Sequence, residues 1–283
     1  MPHLIITADD YGLHPAVNTA IEECLAAGTV RSTCVMTNMP DATGACDLRD
    51  RFPYASLGIH WTLTLGKPVL PPAEIGSLVN SDGEFLSIGE FRNRWMRGQI
   101  RRAEIQRELY AQYTRFSALA GSPDYWNTHQ NIHVFPVLFQ TVATIGQSLE
   151  IPAMRCYRRI TIPVRISTTQ HQLRHPLYWL KGLIIARWSE AVEAHGTRMP
   201  AGTLEMPGAT DGKGELEQVV RRPKFSQLTR PVELVIHPAT MADGAVFGRL
   251  TTSRIKEYQI FRESSLVDRL AQAGVIVRGF EVL

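Results

Sequence analysis

Two carboxylates stand side by side at Asp9 and Asp10, and histidines recur at His60, His129, His133 and His237. Adjacent carboxylates repel each other unless a cation or a shared proton separates their roles. With histidines available, the pairing to expect is one acid on a metal and the other as an acid/base group. Two histidines and one aspartate form a common catalytic metal set that leaves positions open for water and substrate. A second carboxylate then serves as base, and a separate histidine as acid. Each residue also has an ordinary reading. Aspartate favours turns, and a lone histidine at a strand end is more often a hydrogen-bonded structural residue.

The elements around these residues decide between the readings. Leu4-Ile5-Ile6 is a short apolar run that reads as a buried strand of a parallel sheet, and Asp9-Asp10 follows it after Thr7-Ala8. Pro15 to Ala27 carries Val17, Ile21, Cys24 and Leu25 at helical spacing, with Gly28 as the stop. Arg31–Thr37 reads as a strand, Asp41–Arg51 as a helix, and Leu57–Trp61 as a strand containing His60. Pro123–His133 is a strand with a polar tail that holds His129 and His133. Phe135–Leu149 reads as a helix and Ala153–Arg155 as a short strand, and Thr161–Leu173 is ambiguous. Pro176–His195 is an amphipathic helix, Thr203–Met206 a strand, and Val232–His237 a strand ending in His237. Thr251–Ala273 closes as a helix and Val275–Arg278 as a last strand.

Strand and helix alternate, which predicts an α/β fold with parallel pairing. The expectation is one catalytic domain over residues 1–283, an irregular (β/α) barrel, TIM-like, with about seven parallel strands. Parallel strands bring their carboxyl ends to one face. Asp9, Asp10, His60, His129 and His237 can therefore converge although they are far apart in sequence.

The bulk numbers exclude several classes. Hydrophobic residues make up 44% and charged residues 20%, enough for a substantial core. The net charge is only +3, from 30 basic against 27 acidic residues, so no nucleic-acid partner is expected. No run reaches transmembrane length, and no signal-peptide pattern opens the chain, so the expected location is the cytoplasm. Cys24, Cys34, Cys46 and Cys156 are scattered and read as reduced thiols without a zinc–thiolate motif or a partnered base. Walker A, GxGxxG and GxSxG signatures are absent. Gly66–Ser87 is a long Pro/Gly-rich connection of the kind that forms lids or binding loops. With the arginine-bearing helices it is expected to shape a pocket. In Ile88–Leu119, Arg92, Arg94, Arg97, Arg101, Arg102 and Arg107 are interspersed with Glu90, Glu104 and Glu108, which predicts a solvated face with ion pairs.

At its candidate residues the sequence resembles the YdjC-like carbohydrate deacetylases. The resemblance rests on Thr7-Ala8-Asp9-Asp10-Tyr11-Gly12 with Asn18, on Gly58-Ile59-His60-Trp61-Thr62-Leu63-Thr64, and on Asn127-Thr128-His129-Gln130-Asn131-Ile132-His133. Ile151–Arg155 and Glu233–Pro238 complete the set, in the family's order. It implies the barrel, one divalent metal ion (zinc or magnesium), and hydrolysis of an N-acetyl group from an amino sugar. By position, Asp10, His60 and His129 match the metal ligands, Asp9 the acid/base carboxylate and His237 the general acid. Arg155 matches a residue that orients Asp9. An acidic residue, a histidine and a glycine are usual where Asn127, Asn131 and Ala239 stand here. Asn127 is expected to orient His129. Trp61, Tyr11 and Trp126 are candidates for stacking on a sugar, and the Pro176–His195 helix hints at a homodimer. Another metal-dependent hydrolase, a deformylase or phosphoester hydrolase, is the nearest alternative. A catalytically silent sugar-binding protein is the other.

Overall fold

The buried strand expected at the start of the chain is the centre of the sheet. A computed structural model describes residues 1–135, 138–162, 176–205 and 215–283. In chain order the strands are β1 (His3–Tyr11), β2 (Ser32–Val35), β3 (Ser56–Trp61), β4 (Tyr125–Thr128), β5 (Arg159–Thr161), β6 (Thr203–Glu205), β7 (Val232–Ile236) and β8 (Ile276–Arg278). Their order is β4-β3-β2-β1-β7-β6-β5, with β8 beside β1. Every pairing is parallel. Leu4, Ile5, Ile6 and Ala8 of β1 are fully buried. With both faces covered, a run of apolar residues replaces the in–out alternation of a half-exposed strand.

The sheet curls until its two ends meet. Ala153–Arg155, expected as a strand, makes only single bridges, Trp126 to Met154 and Ala153 to Arg198. Its backbone turns alternately to both neighbours: Trp126 N donates to Ala153 O (3.0 Å), and Met154 N donates to Arg198 O (2.9 Å). This segment leads into β5, so one stretch of chain touches β4 and then pairs with β6. The barrel is irregular for that reason.

Three expected helices are interrupted. Asp41–Arg51 is a 3-10 helix (Pro40–Asp47) followed by one α-turn (Leu48–Arg51). Gly44 packs there so closely that a Cβ would meet the Tyr11 hydroxyl at 2.7 Å. The arginine-rich stretch is two helices, Ile88–Met96 and Arg102–Ala120, separated at Gly98 (φ +67°). The closing helix divides into Thr251–Phe261 and Ser265–Gln272. Most of the ambiguous Thr161–Leu173 stretch lies outside the described residues. The Pro176–Ala194 helix forms as expected.

The Gly66–Ser87 connection is pinned, not loose. The buried Glu108 carboxylate accepts the backbone N–H of Val69 (2.9 Å) and Leu70 (3.0 Å). Glu104, also buried, accepts from Ser77 N (2.8 Å) and Ser77 Oγ (2.5 Å). Ile75, Leu78, Phe85 and Leu86 of the connection are buried. Glu90 is the reciprocal partner of Ser87 in a capping box. The expected network of ion pairs therefore does not form. Among the described residues only Arg101 and Glu104 pair within that stretch. No helix among the described residues is long and apolar enough to cross a membrane.

Candidate active site

β1 presents both acids at its carboxyl end, facing different neighbours. Asp10 has φ +73°, a left-handed conformation that is uncommon outside glycine. That backbone turn coincides with a register shift between β1 and β2 after Ala8. Side chains of adjacent strand residues normally point to opposite faces; here the irregularity lets both carboxylates enter one buried centre.

Asp9 belongs to a cationic clamp. Arg155 Nη1 donates to Asp9 Oδ2 and Arg155 Nη2 to Asp9 Oδ1, each at 2.7 Å. The same guanidinium takes the buried Glu233 through Nε (3.0 and 3.1 Å) and Nη2 (2.9 Å). Burial alone would raise the Asp9 pKa, but the Arg155 charge and hydrogen bonds outweigh it and hold the carboxyl well below the usual range. Burial dominates at Glu233 and pushes its pKa up. His237 stands just past β7 with its Nε2 3.9 Å from Asp9 Oδ2 and its ring partly exposed. Its backbone N–H donates to Glu257 Oε2 (2.5 Å).

Asp10 belongs to the histidines. Its Oδ1 lies 3.2 Å from His60 Nε2 and 3.1 Å from His129 Nδ1. Arg254 Nη2, from the Thr251–Phe261 helix, bonds the other oxygen, Oδ2. Burial opposes ionisation of Asp10, but hydrogen bonds from His129 and His60 and the Arg254 charge keep its pKa well below normal. His129 is reached because Gln130 (φ +53°) and Asn131 (φ +52°) turn the backbone left-handed directly after it.

One ligand atom from each of Asp10, His60 and His129 lies within 4.8 Å of the others, and the first two residues are buried. One carboxylate oxygen and two imidazole nitrogens form a donor set suited to zinc, and accepted with other strengths by magnesium or manganese. The residues present fit a divalent ion. Asp9, Cys34 and His60 form a second such group, but both Asp9 oxygens are already held by Arg155.

All five residues predicted to converge do so, and Arg155 clamps Asp9 as expected. Other expectations change. Asn127 orients His60, not His129: its Oδ1 lies 2.5 Å from His60 Nδ1. With the amide turned over, its oxygen accepts from Arg155 (2.9 and 3.0 Å) and its nitrogen donates to His60. Tyr11, Trp61 and Trp126 are fully buried core residues and offer no stacking surface to a sugar. His133, near the end of the same turn, packs on Tyr157 with ring centroids 4.0 Å apart, away from the ligand set.

Four contributors were missed. Glu233 carried a signal, an acid inside the apolar strand VELVI. Cys34, whose Sγ lies 3.1 Å from Asp9 Oδ1 and 3.2 Å from His60 Nδ1, gave none, because its partners are remote in sequence. Arg254 and Glu257 looked like ordinary charges on a closing helix.

The fold and the centre define an α/β-barrel protein with a carboxylate–histidine site at the carboxyl ends of its strands. More narrowly, the chain belongs to the YdjC-like protein family, whose model matches residues 3–272. It is similar to a carbohydrate deacetylase of Geobacillus stearothermophilus, with 28% identity over 277 residues, covering 96% of this chain and 94% of the relative. A chitooligosaccharide deacetylase of Yersinia pestis (strain Pestoides F) is 27% identical over 291 residues, covering 98% and 97%. A crystal structure of a candidate cellobiose-phosphate cleavage protein from Enterococcus faecalis V583 shares the fold. Its TM-score is 0.76 at 23% identity, over 99% of this chain and 98% of that one.

Proposed function

We propose that the protein is a metal-dependent carbohydrate N-deacetylase that removes the acetyl group from an amino sugar. The observation that carries this is the meeting of Asp10, His60 and His129 around one point, with Asp9 and His237 beside them. The names of the relatives support the substrate class.

Asp10 Oδ1, His60 Nε2 and His129 Nδ1 would hold the ion. A bound divalent ion would supply Lewis acidity to a water and to the acetyl carbonyl. Asp9, kept ionised and fixed by Arg155, receives a proton from the attacking water as the new C–O bond forms. His237 donates a proton to the amine nitrogen as the C–N bond breaks, because a neutral amine leaves far more readily than an amide anion. The ring of His237 is partly exposed and can be reprotonated from solvent. Products are acetate and a free amino sugar. The reading places the enzyme in the cytoplasm. Leu183 and Ile184, exposed on the Pro176–Ala194 helix, suit a homodimer contact.

The test is acetate release from a panel of N-acetyl amino sugars with added zinc or magnesium. Release of acetate supports the reading. Phosphate release from phosphoesters without acetate release replaces it with the phosphoester hydrolase alternative. In the same assay, Asp10→Ala is expected to lose the ion, and Asp9→Asn to keep the ion and lose turnover. The reverse pattern exchanges the two roles.

A further inference from the structure

The helix Arg102–Ala120 is the crossover between parallel strands β3 and β4, so its first turn lies towards the face where the strands end. Gln112 marks the level of that end. Its side chain accepts from Thr62 N (3.0 Å) and donates to Thr62 O (2.7 Å), one residue past β3. Arg102 is ten residues upstream of Gln112 on the same helix. At about 1.5 Å per residue the helix overhangs the strand ends by about 15 Å. The Ile88–Met96 helix joins it through a turn at Gly98, forming a raised corner beside the candidate site. Phe91 in that helix packs 6.3 Å from Phe135, the residue capping the turn that carries His129.

Residues 91–103 contain five arginines (Arg92, Arg94, Arg97, Arg101 and Arg102) and no acid. Of the nearby glutamates that balance them in the sequence, only Glu104 pairs with one of the five, Arg101, while it also holds Ser77. Glu108 faces the Gly66–Ser87 connection, and Glu90 caps its own helix. Arg92, Arg97 and Arg102 are exposed, and their side chains make no hydrogen bond or ion pair among the described residues. Met96, one turn from Arg92 on the same helix face, is 69% exposed, the most exposed large apolar side chain after Met1 among the described residues.

We propose that this corner, residues 92–102, docks on an anionic phospholipid bilayer. Cationic side chains around a protruding apolar residue match an interface with negative headgroups above acyl chains. Nucleic acid fits less well, because single strands need exposed aromatic platforms along a groove. Here the one aromatic of the corner, Trp95, stacks on Phe91 and is half-buried. The corner rises from the catalytic face, so docking turns that face towards the bilayer. Resting on the deacetylase reading, this points to an amino sugar carried as the head group of a lipid.

The test sediments the full chain with phosphatidylcholine vesicles, with and without phosphatidylglycerol, at low salt. The wild type is expected to bind only the phosphatidylglycerol vesicles and to release at high salt. The triple variant Arg92→Gln, Arg97→Gln, Arg102→Gln should bind at least about tenfold more weakly, since each surface cation contributes separately. The triple lysine variant should retain binding, and Met96→Asp should weaken it. Melting temperature should stay unchanged in all of them. No binding to phosphatidylglycerol vesicles, equal binding by the glutamine variant, or tighter binding to single-stranded RNA than to vesicles would overturn the proposal. Vesicle binding without turnover of any N-acetyl sugar keeps the docking surface and overturns only the deacetylase reading.

Discussion

Arg155 holds both carboxylate oxygens of Asp9 in a two-point pair at 2.7 Å each, and it does so entirely buried. The same guanidinium also neutralises Glu233. Replacing Arg155 with Met strands two carboxylates without a counter-ion, and breaking a buried pair costs about 3–5 kcal/mol. Arg155→Met should therefore lower stability by about that amount in denaturant titration. Glu233→Gln keeps an acceptor for Arg155 and removes a carboxyl whose pKa burial has already raised. It should cost much less. Equal losses in the two variants would show that Glu233 bears as much of the clamp as Arg155.

Asp10 has its own cation. Arg254 bonds Asp10 Oδ2 while Oδ1 faces the two histidines. Without a metal, Arg254 is, among the described residues, the only permanent positive charge touching that carboxylate. Arg254→Gln should destabilise the metal-free protein by about 3–5 kcal/mol, as loss of one partner of a buried pair does. A divalent ion replaces the missing charge and stabilises whichever state binds it. The rise in melting temperature on adding zinc should thus be larger in Arg254→Gln than in the wild type. A smaller rise would mean that Arg254 helps to hold the ion.

Much of this architecture was readable from the chain, and the gaps have physical causes. Apolar strands at Leu4–Ile6 and Val232–Ile236, each followed by a titratable residue, announced both the parallel sheet and the site. Patterning carries such information because burial on both faces leaves few other sequences. The Ala153–Arg155 closure was misread because a segment serving two neighbours with single bridges keeps the composition of a strand. The charge balance of Ile88–Leu119 misled for a different reason. Spacing along a helix does not say whether a glutamate faces an arginine or a loop's unpaired N–H groups. Cys34 and Arg254 are defined only by partners in other elements, and no local pattern encodes those.

Glu108 illustrates the cost of that inward turn. Burial raises its pKa above the ordinary 4.5, although Gln112 and the N–H groups of Val69 and Leu70 stabilise the charged form. The folded state then binds its proton more tightly than the unfolded chain. That contribution to stability is fully present below pH 4.5 and is lost as pH rises through the raised folded-state value. Wild-type stability should fall across that window relative to Glu108→Gln, which has no proton to lose. Denaturation midpoints of both proteins measured across the window check this. Parallel curves would place the titration elsewhere.

Asn127 sets how well His60 can serve an ion. In the orientation with Oδ1 2.5 Å from Nδ1, the amide would accept the Nδ1 proton and leave the Nε2 lone pair for an ion beside Asp10. A carboxylate at this position is a stronger acceptor, and partners of metal-bound histidines typically change affinity by about 10–100-fold. It would also stand near Asp9, since Asn127 Nδ2 is 3.4 Å from Asp9 Oδ1. Asn127→Asp should therefore bind zinc at least about tenfold more tightly, while its metal-free form melts lower because two carboxylates now face each other. Competition with a chromogenic chelator measures the first effect and thermal melting the second. Weaker zinc binding by Asn127→Asp would identify the turned-over amide, oxygen on Arg155 and nitrogen on His60, as the working arrangement.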